Sequence, residues 1–145
     1  MSDPEVDRDL PFRVLPLVTE DNEHFWRGGA NGQLHLKRCA DCHEYNHPPV
    51  PVCRGCLSRE ITVEAVSGKA RLLTYTENHQ PWIPGFEPPY IVAIVELNEQ
   101  VGLRLTTNLV NVAIEDVEIG MPVRVVFEPR DDDIFLPLFE PDPEA

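Results

Sequence analysis

The sequence has no long hydrophobic run, and its most apolar stretch, YIVAIVEL, is broken by Glu96 and is far too short to cross a bilayer. No basic start followed by an apolar segment is visible, so the expected address is the cytoplasm. Positive charge is scarce: 12 bases stand against 25 acids, for a formal net charge of −13. That balance disfavours general attraction to nucleic acid phosphates. Also missing are HExxH, GxSxG and GxxxxGK patterns, any internal repeat long enough for a solenoid, and any helical stretch long enough for parallel β-strand crossovers. Gly28, Gly29 and Gly32 lie close together but lack the strand and long helix of a dinucleotide loop.

What is present fits one compact unit, or two small ones sharing an interface, in 145 residues. With 42% hydrophobic and 26% charged residues, the chain can bury a core and keep a soluble surface. The acids concentrate at both ends, in residues 1–23 and 128–145. The stretch 34–76 reverses the bias with Lys37, Arg38, Arg54, Arg59, Lys69 and Arg71. A modest positive region is therefore expected on an acidic protein.

Along the chain, the first expectation is an acidic arm over 1–18; its opening MSDPEVDRDLP, like the closing EPDPEA, is expected to fray. A short helix follows within 19–33, capped by Thr19, stopped by the glycines, and carrying Phe25 and Trp26 as its apolar load. A helix this short is marginal alone, so those two rings must pack on the body of the protein or on another chain. A cysteine segment is expected over 34–66, entered by the alternating strand QLHLKR. Over 67–139 come five strand candidates, ARLLTYT, YIVAIVEL, GLRLTTNL, VRVVF and IFLPLF, with one helical turn in VAIEDVEIG ended by Gly120. That order predicts a mainly β protein with a small antiparallel barrel of the OB type, followed by an acidic tail over 140–145.

All four cysteines, Cys39, Cys42, Cys53 and Cys56, sit in CADCHEYNHPPVPVCRGC. Two CxxC pairs separated by ten residues in a reducing compartment predict a four-thiolate metal site rather than disulfides. Zinc is the expected ion, and iron in a rubredoxin-like centre uses similar ligands. Four thiolates fill a tetrahedral shell, leaving no place for a reactive water, so the expected role is structural. His43 and His47 are surplus as ligands. His43 and Leu57 also stand where such knuckles usually carry glycine.

Glu77 and His79 are a weak catalytic pair, because neighbours at the end of a strand are expected to point apart. The run Asp131, Asp132, Asp133 predicts a solvated hairpin turn. The segment 78–89, with Trp82, Ile83 and Phe86 among five residues of proline and glycine type, is the leading interaction candidate. Stiff prolines lower the entropy lost when such a loop is fixed. The same ribbon and barrel also occur in single-stranded nucleic-acid binders, but the acidic second half argues against that alternative.

In order, EHFWRGGANGQLHLKRCADC, PPVPVCRGC, GKARLLTYT, PGFEPPYIVAIVEL, LTTNLV and IEDVEIGMPVRVVF resemble the OB-fold/zinc-ribbon family first catalogued as domain of unknown function thirty-five. The resemblance covers roughly residues 20–130. It implies an N-terminal helix, a rubredoxin-like zinc ribbon and a C-terminal OB-fold. It also implies a non-catalytic accessory subunit of thiolase-superfamily enzymes that act on acyl-CoA thioesters, including steroid side-chain retro-aldolases. An autonomous small acyl-CoA-processing enzyme is the other alternative. Under the resemblance, Phe25, Trp26 and Ile83 would dock the partner, Trp82, Phe86 and His79 would meet the acyl group, and Lys37, Arg38 and Arg54 would attract coenzyme A phosphates.

Overall fold

The computed structural model describes residues 10–144; residues 1–9 of the acidic arm and Ala145 of the tail lie outside the described residues. A short helix α1, Glu23–Arg27, runs into a 3-10 turn over Gly28–Asn31, and Gly32 ends it with a left-handed backbone. The cap differs from the sequence expectation. Asn22 is the N-cap residue, while the Thr19 carbonyl accepts from the Asn22 and Glu23 amides. Asn22 instead accepts the Thr19 amide through its side chain, closing a turn ahead of the helix.

Three strands form the first sheet: β1, Leu34–Cys39, lies between β2, Tyr45–Asn46, and β3, Ile61–Val66, both antiparallel to it. Alternation places Leu34 and Leu36 in the core, whereas His35 and Lys37 face the other side; Cys39, at the strand's end, is buried instead within the cysteine cluster. β3 was not expected, because its burial is weak: Thr62, Val63 and Ala65 are exposed. Its six-residue register with β1 is what holds it.

The barrel consists of β4, Lys69–Asn78; β5, Tyr90–Leu97; β6, Arg104–Leu109; β7, Pro122–Arg130; and β8, Ile134–Pro141. Its closed order is β4-β5-β6-β8-β7. In β5 the β-branched alternation sends Ile91, Ala93 and Val95 inward, while Tyr90 and Val92 stay partly exposed on the outer face. Leu72, Val95, Leu97, Val123 and Phe139 fill the barrel, each burial contributing about 1.5–3 kcal/mol. Phe25, Leu34 and Leu36 belong to the same continuous core, so helix, ribbon and barrel share one interior.

The barrel closes between β6 and β8 through one parallel pair, Leu109 and Phe139. Pro137 has no amide to give, and its carbonyl accepts the buried Thr107 hydroxyl at 2.9 Å, so a side chain supplements the ladder there. The turn expected in 112–120 is a 3-10 turn at Ile114–Asp116, and Asp131–Asp133 form the hairpin turn between β7 and β8.

Fraying is expected of residues 1–11 and 140–145, yet the described part of the tail is fastened, and so is the segment that follows the opening residues. The Asp142 side chain is buried and pairs with Lys69 at 2.9 Å. Residues 10–17 form an extended strap over the barrel, fixed by Arg13 to Glu128 at 2.7 Å. Arg13 also donates to Asn108 Oδ1 at 2.8 Å. Among the described residues, no helix is long and apolar enough to cross a membrane.

Candidate metal centre and interaction surface

The four cysteine sulfurs converge, all lying within 4.8 Å of one another. Cys39 Sγ is 3.6 Å from Cys56 Sγ, and Cys42 Sγ is 3.5 Å from Cys53 Sγ. Zinc–sulfur bonds of about 2.3 Å at tetrahedral angles put sulfurs about 3.8 Å apart, so this donor set fits zinc. Cys39 and Cys53 are fully buried, while Cys42 and Cys56 face solvent. Each knuckle is closed by an amide returning to its first cysteine, His43 to the Cys39 carbonyl and Leu57 to the Cys53 carbonyl, both at 3.0 Å. Without glycine, His43 and Leu57 adopt φ of 67° and 64° in the left-handed region.

The protein environment already favours some thiolates. The Asn46 amide, followed by the Cys56 and Gly55 backbone amides, lowers the Cys53 thiol to about 6. The Cys42 backbone amide lowers Cys39. At Cys42 the Glu44 amide favours ionisation, but burial and the neighbouring sulfurs outweigh it and push the thiol up to about 12. Four adjacent thiols cannot all ionise against mutual repulsion, and a divalent cation removes that conflict. The ion, held by Cys39, Cys42, Cys53 and Cys56, would supply cross-linking of the knuckles.

Asn46 is a residue the sequence analysis missed. It is 1% exposed, donates Nδ2 to the Glu44 carbonyl at 3.2 Å and to Cys53 Sγ at 3.5 Å, and accepts the Arg54 amide at 3.0 Å. The only signal in the sequence is its place between the first cysteine pair and the prolines. Gln100, in the turn after β5, grips the ribbon by accepting the Tyr45 amide at 2.8 Å and donating to the Tyr45 carbonyl at 3.2 Å.

The interaction candidates separate into groups. Phe25, Trp26, Ile83 and Phe86 line one cavity of about 350 Å³ with the strap and the outer barrel wall. Trp82 stands at the loop tip, 72% exposed, and donates Nε1 to Asn78 Oδ1 at 3.0 Å. His79 Nε2 lies 3.2 Å from Glu77 Oε1, so these side chains meet rather than diverge, but they do so on the surface and do not line that cavity.

Of the three cations, Arg38 is committed elsewhere. It pairs with Glu64 at 2.9 Å, donates to the His43 carbonyl at 2.7 Å and covers the Tyr45 ring. Lys37 neighbours His24, and Arg54 neighbours His47. Burial first, then those cations and the adjoining imidazoles, lowers both histidines to about 4. The His47 ring packs on Phe25 with centroids 4.7 Å apart, joining ribbon to helix.

Comparison with known proteins agrees with this arrangement. Residues 26–62 match the ChsH2 rubredoxin-like zinc ribbon domain and residues 63–128 the ChsH2 C-terminal OB-fold domain. The chain belongs to the ChsH2-type zinc-ribbon/OB-fold family. A solved ChsH2-type structure titled "Ltp2-ChsH2(DUF35) aldolase" aligns with 38% identity and a TM-score of 0.78, covering 88% of this chain and 98% of that one. A probable enoyl-CoA hydratase alpha subunit of Thermomonospora curvata is 39% identical over 130 residues, 90% of this chain and 40% of that protein. The 3-oxo-4,17-pregnadiene-20-carboxyl-CoA hydratase alpha subunit of Mycobacterium tuberculosis is 33% identical over 121 residues, 83% of this chain and 38% of that protein. The chain thus spans about two-fifths of the length of these two relatives.

Proposed function

We propose that this chain is a non-catalytic accessory subunit that docks on a thiolase-like, acyl-CoA-processing enzyme and helps form its substrate passage. The observation that carries this reading is the likeness to the ChsH2(DUF35) chain of an aldolase, which this chain covers almost completely. The four-cysteine centre supports it as well, since a metal shell closed by protein sulfurs stiffens a scaffold and offers no position for a reacting water. Trp26 and Ile83 supply aromatic and aliphatic anchors for the enzyme, Phe25, expected to dock as well, is buried in the core and fixes the helix that carries Trp26, and Phe86 and Trp82 flank the passage. In this reading Lys37 and Arg54 would meet the phosphates of a coenzyme A thioester, and Arg38, held by Glu64, would contribute less.

A second reading rests on the two relatives named as hydratase alpha subunits, in which a matching segment forms part of a larger chain. Under it, the partner enzyme hydrates an enoyl thioester instead of cleaving a carbon–carbon bond. Copurification from the native source, followed by assay of the separated and recombined components, distinguishes these. Retro-aldol cleavage or hydration restored only on recombination supports the accessory role and identifies its class. Substantial turnover by this chain alone would overturn it.

A further inference from the structure

Five-stranded OB barrels that bind oligonucleotides and oligosaccharides use the face of the second and third strands, together with the loop joining the first two strands and the loop joining the last two. In this barrel that face belongs to β5 and β6, and the two loops are 79–89 and 131–133. The face is not bare: the strap of residues 10–15 crosses it. On one side of the strap is the 350 Å³ cavity, and on the other is one of about 640 Å³. Both are walled by Arg13, Phe86, Tyr90, Asn108 and Leu138, so they are halves of one trough divided by Arg13.

Arg13 is held from three sides. Besides Glu128 and Asn108, its guanidinium lies 4.6 Å above the centre of the Phe86 ring. The Phe12 amide donates to the Gly85 carbonyl at 3.1 Å, tying the strap to the same loop. Each partner nevertheless keeps another contact when Arg13 leaves. Glu128 also pairs with Arg130, Asn108 donates to the Ile91 carbonyl at 2.9 Å, and Phe86 packs on Tyr90 at 4.4 Å. None of the strap's apolar side chains is fully buried: Phe12, Val14 and Leu17 point outward at 56%, 72% and 83% exposure, and Leu10, Pro11, Leu15 and Pro16 are half-buried. Lifting it therefore strands no buried polar group on the barrel and surrenders only the half-buried contacts of Leu10, Pro11, Leu15 and Pro16.

We propose that the trough over β5 and β6 binds the apolar acyl portion of a thioester, and that Arg13 is the gate between its two halves. The walls fit such a body: Phe25, Trp26, Val92, Leu136 and Leu138 are apolar, while Thr106 and Asn108 offer isolated hydrogen bonds to an oxygen on it. Each cavity has the size of a small-molecule pocket, on the order of 300–1,000 Å³. The choice of a thioester as ligand rests on the accessory role proposed above; the trough and its gate do not.

The test uses the full chain and tryptophan fluorescence, because Trp26 lines the trough. Decanoyl-CoA and free coenzyme A are titrated into the unmodified chain, Arg13→Ala, Val92→Arg and Thr106→Arg. Decanoyl-CoA should bind at least tenfold more tightly than coenzyme A. Arg13→Ala should tighten decanoyl-CoA about threefold to tenfold by removing the competing crossbar. Either introduced arginine should weaken it at least tenfold; Thr106 is exposed, so its variant keeps the test valid where Val92→Arg fails to fold. Equal binding of both probes, indifference to a folded arginine variant, or unchanged or weaker binding by Arg13→Ala would overturn the proposal. A chain that ignores decanoyl-CoA yet still coelutes with its enzyme refutes the trough and leaves the accessory role standing, whereas loss of coelution with tight decanoyl-CoA binding does the reverse.

Discussion

The Asn46 side-chain nitrogen lies 3.5 Å from Cys53 Sγ, within a side chain that has almost no exposure. It stabilises the thiolate that binds the ion and, through Arg54, the loop that presents it. Asn46→Leu should lower zinc affinity about tenfold to a hundredfold, the usual scale for loss of a group supporting a metal ligand. Competition with a chromophoric chelator measures the change. An unaltered affinity would show that Asn46 serves packing alone.

The left-handed φ of Leu57 is unfavourable for a side-chain-bearing residue, and its side chain is 75% exposed. Leu57→Gly should stabilise the folded, zinc-loaded chain by up to about 1 kcal/mol, since relief of strain exceeds the added flexibility of the unfolded chain. Thermal melting of the two chains reads the difference. A lower melting temperature would mean that Leu57 makes a contact worth more than the strain.

His24 and His47 have folded-state values near 4, below the unfolded value of 6.5. The unfolded chain therefore binds more protons between these values, and stability should fall as pH drops from about 6.5 towards 4. His47→Phe should reduce that slope, because the ring stacked on Phe25 no longer titrates. Urea unfolding at several pH values checks the sign. A slope unchanged in the variant would remove His47 from the account.

Gly29 lets the turn after α1 approach the barrel. A Cβ there would come within 2.5 Å of the Phe127 ring and 2.6 Å of Phe135 Cβ. Gly29→Val should displace the helix carrying Phe25 and Trp26, destabilise the chain by about 1–3 kcal/mol and weaken coelution with the partner enzyme. Gly32→Ala, which has open space around it but a positive φ, controls for backbone strain alone. Equal effects of the two substitutions would contradict a packing role.

The strong periodicities were legible in the sequence. YIVAIVEL alternates because one face meets the barrel interior, and the CxxC spacing specifies a metal site before any contact is known. β3 was hidden because ITVEAV buries little and depends on pairing with β1, which sequence spacing does not encode. The interaction surface was only partly visible. Phe25, Trp26, Ile83 and Phe86 were identified as hydrophobic anchors, but that they meet in one cavity is a product of tertiary folding.

Arg13 escaped notice for a related reason. In sequence it is one base in an acidic, proline-bearing arm, and its partners Asn108 and Glu128 lie 95 and 115 residues away. Neither separation leaves a local signature. Arg38 shows the converse: its charge was visible, but its commitment to Glu64 across β1 and β3 was not.

The single-pair join between β6 and β8, with the Thr107 hydroxyl bridging to Pro137, is the barrel's seam. Amide exchange should begin there, at Val110, whose amide reaches the Phe139 carbonyl at 2.8 Å across the join. A molecule lying against Thr106 and Leu138 would span both sides and act as a rivet, so the breathing of the barrel becomes a gauge of what it carries.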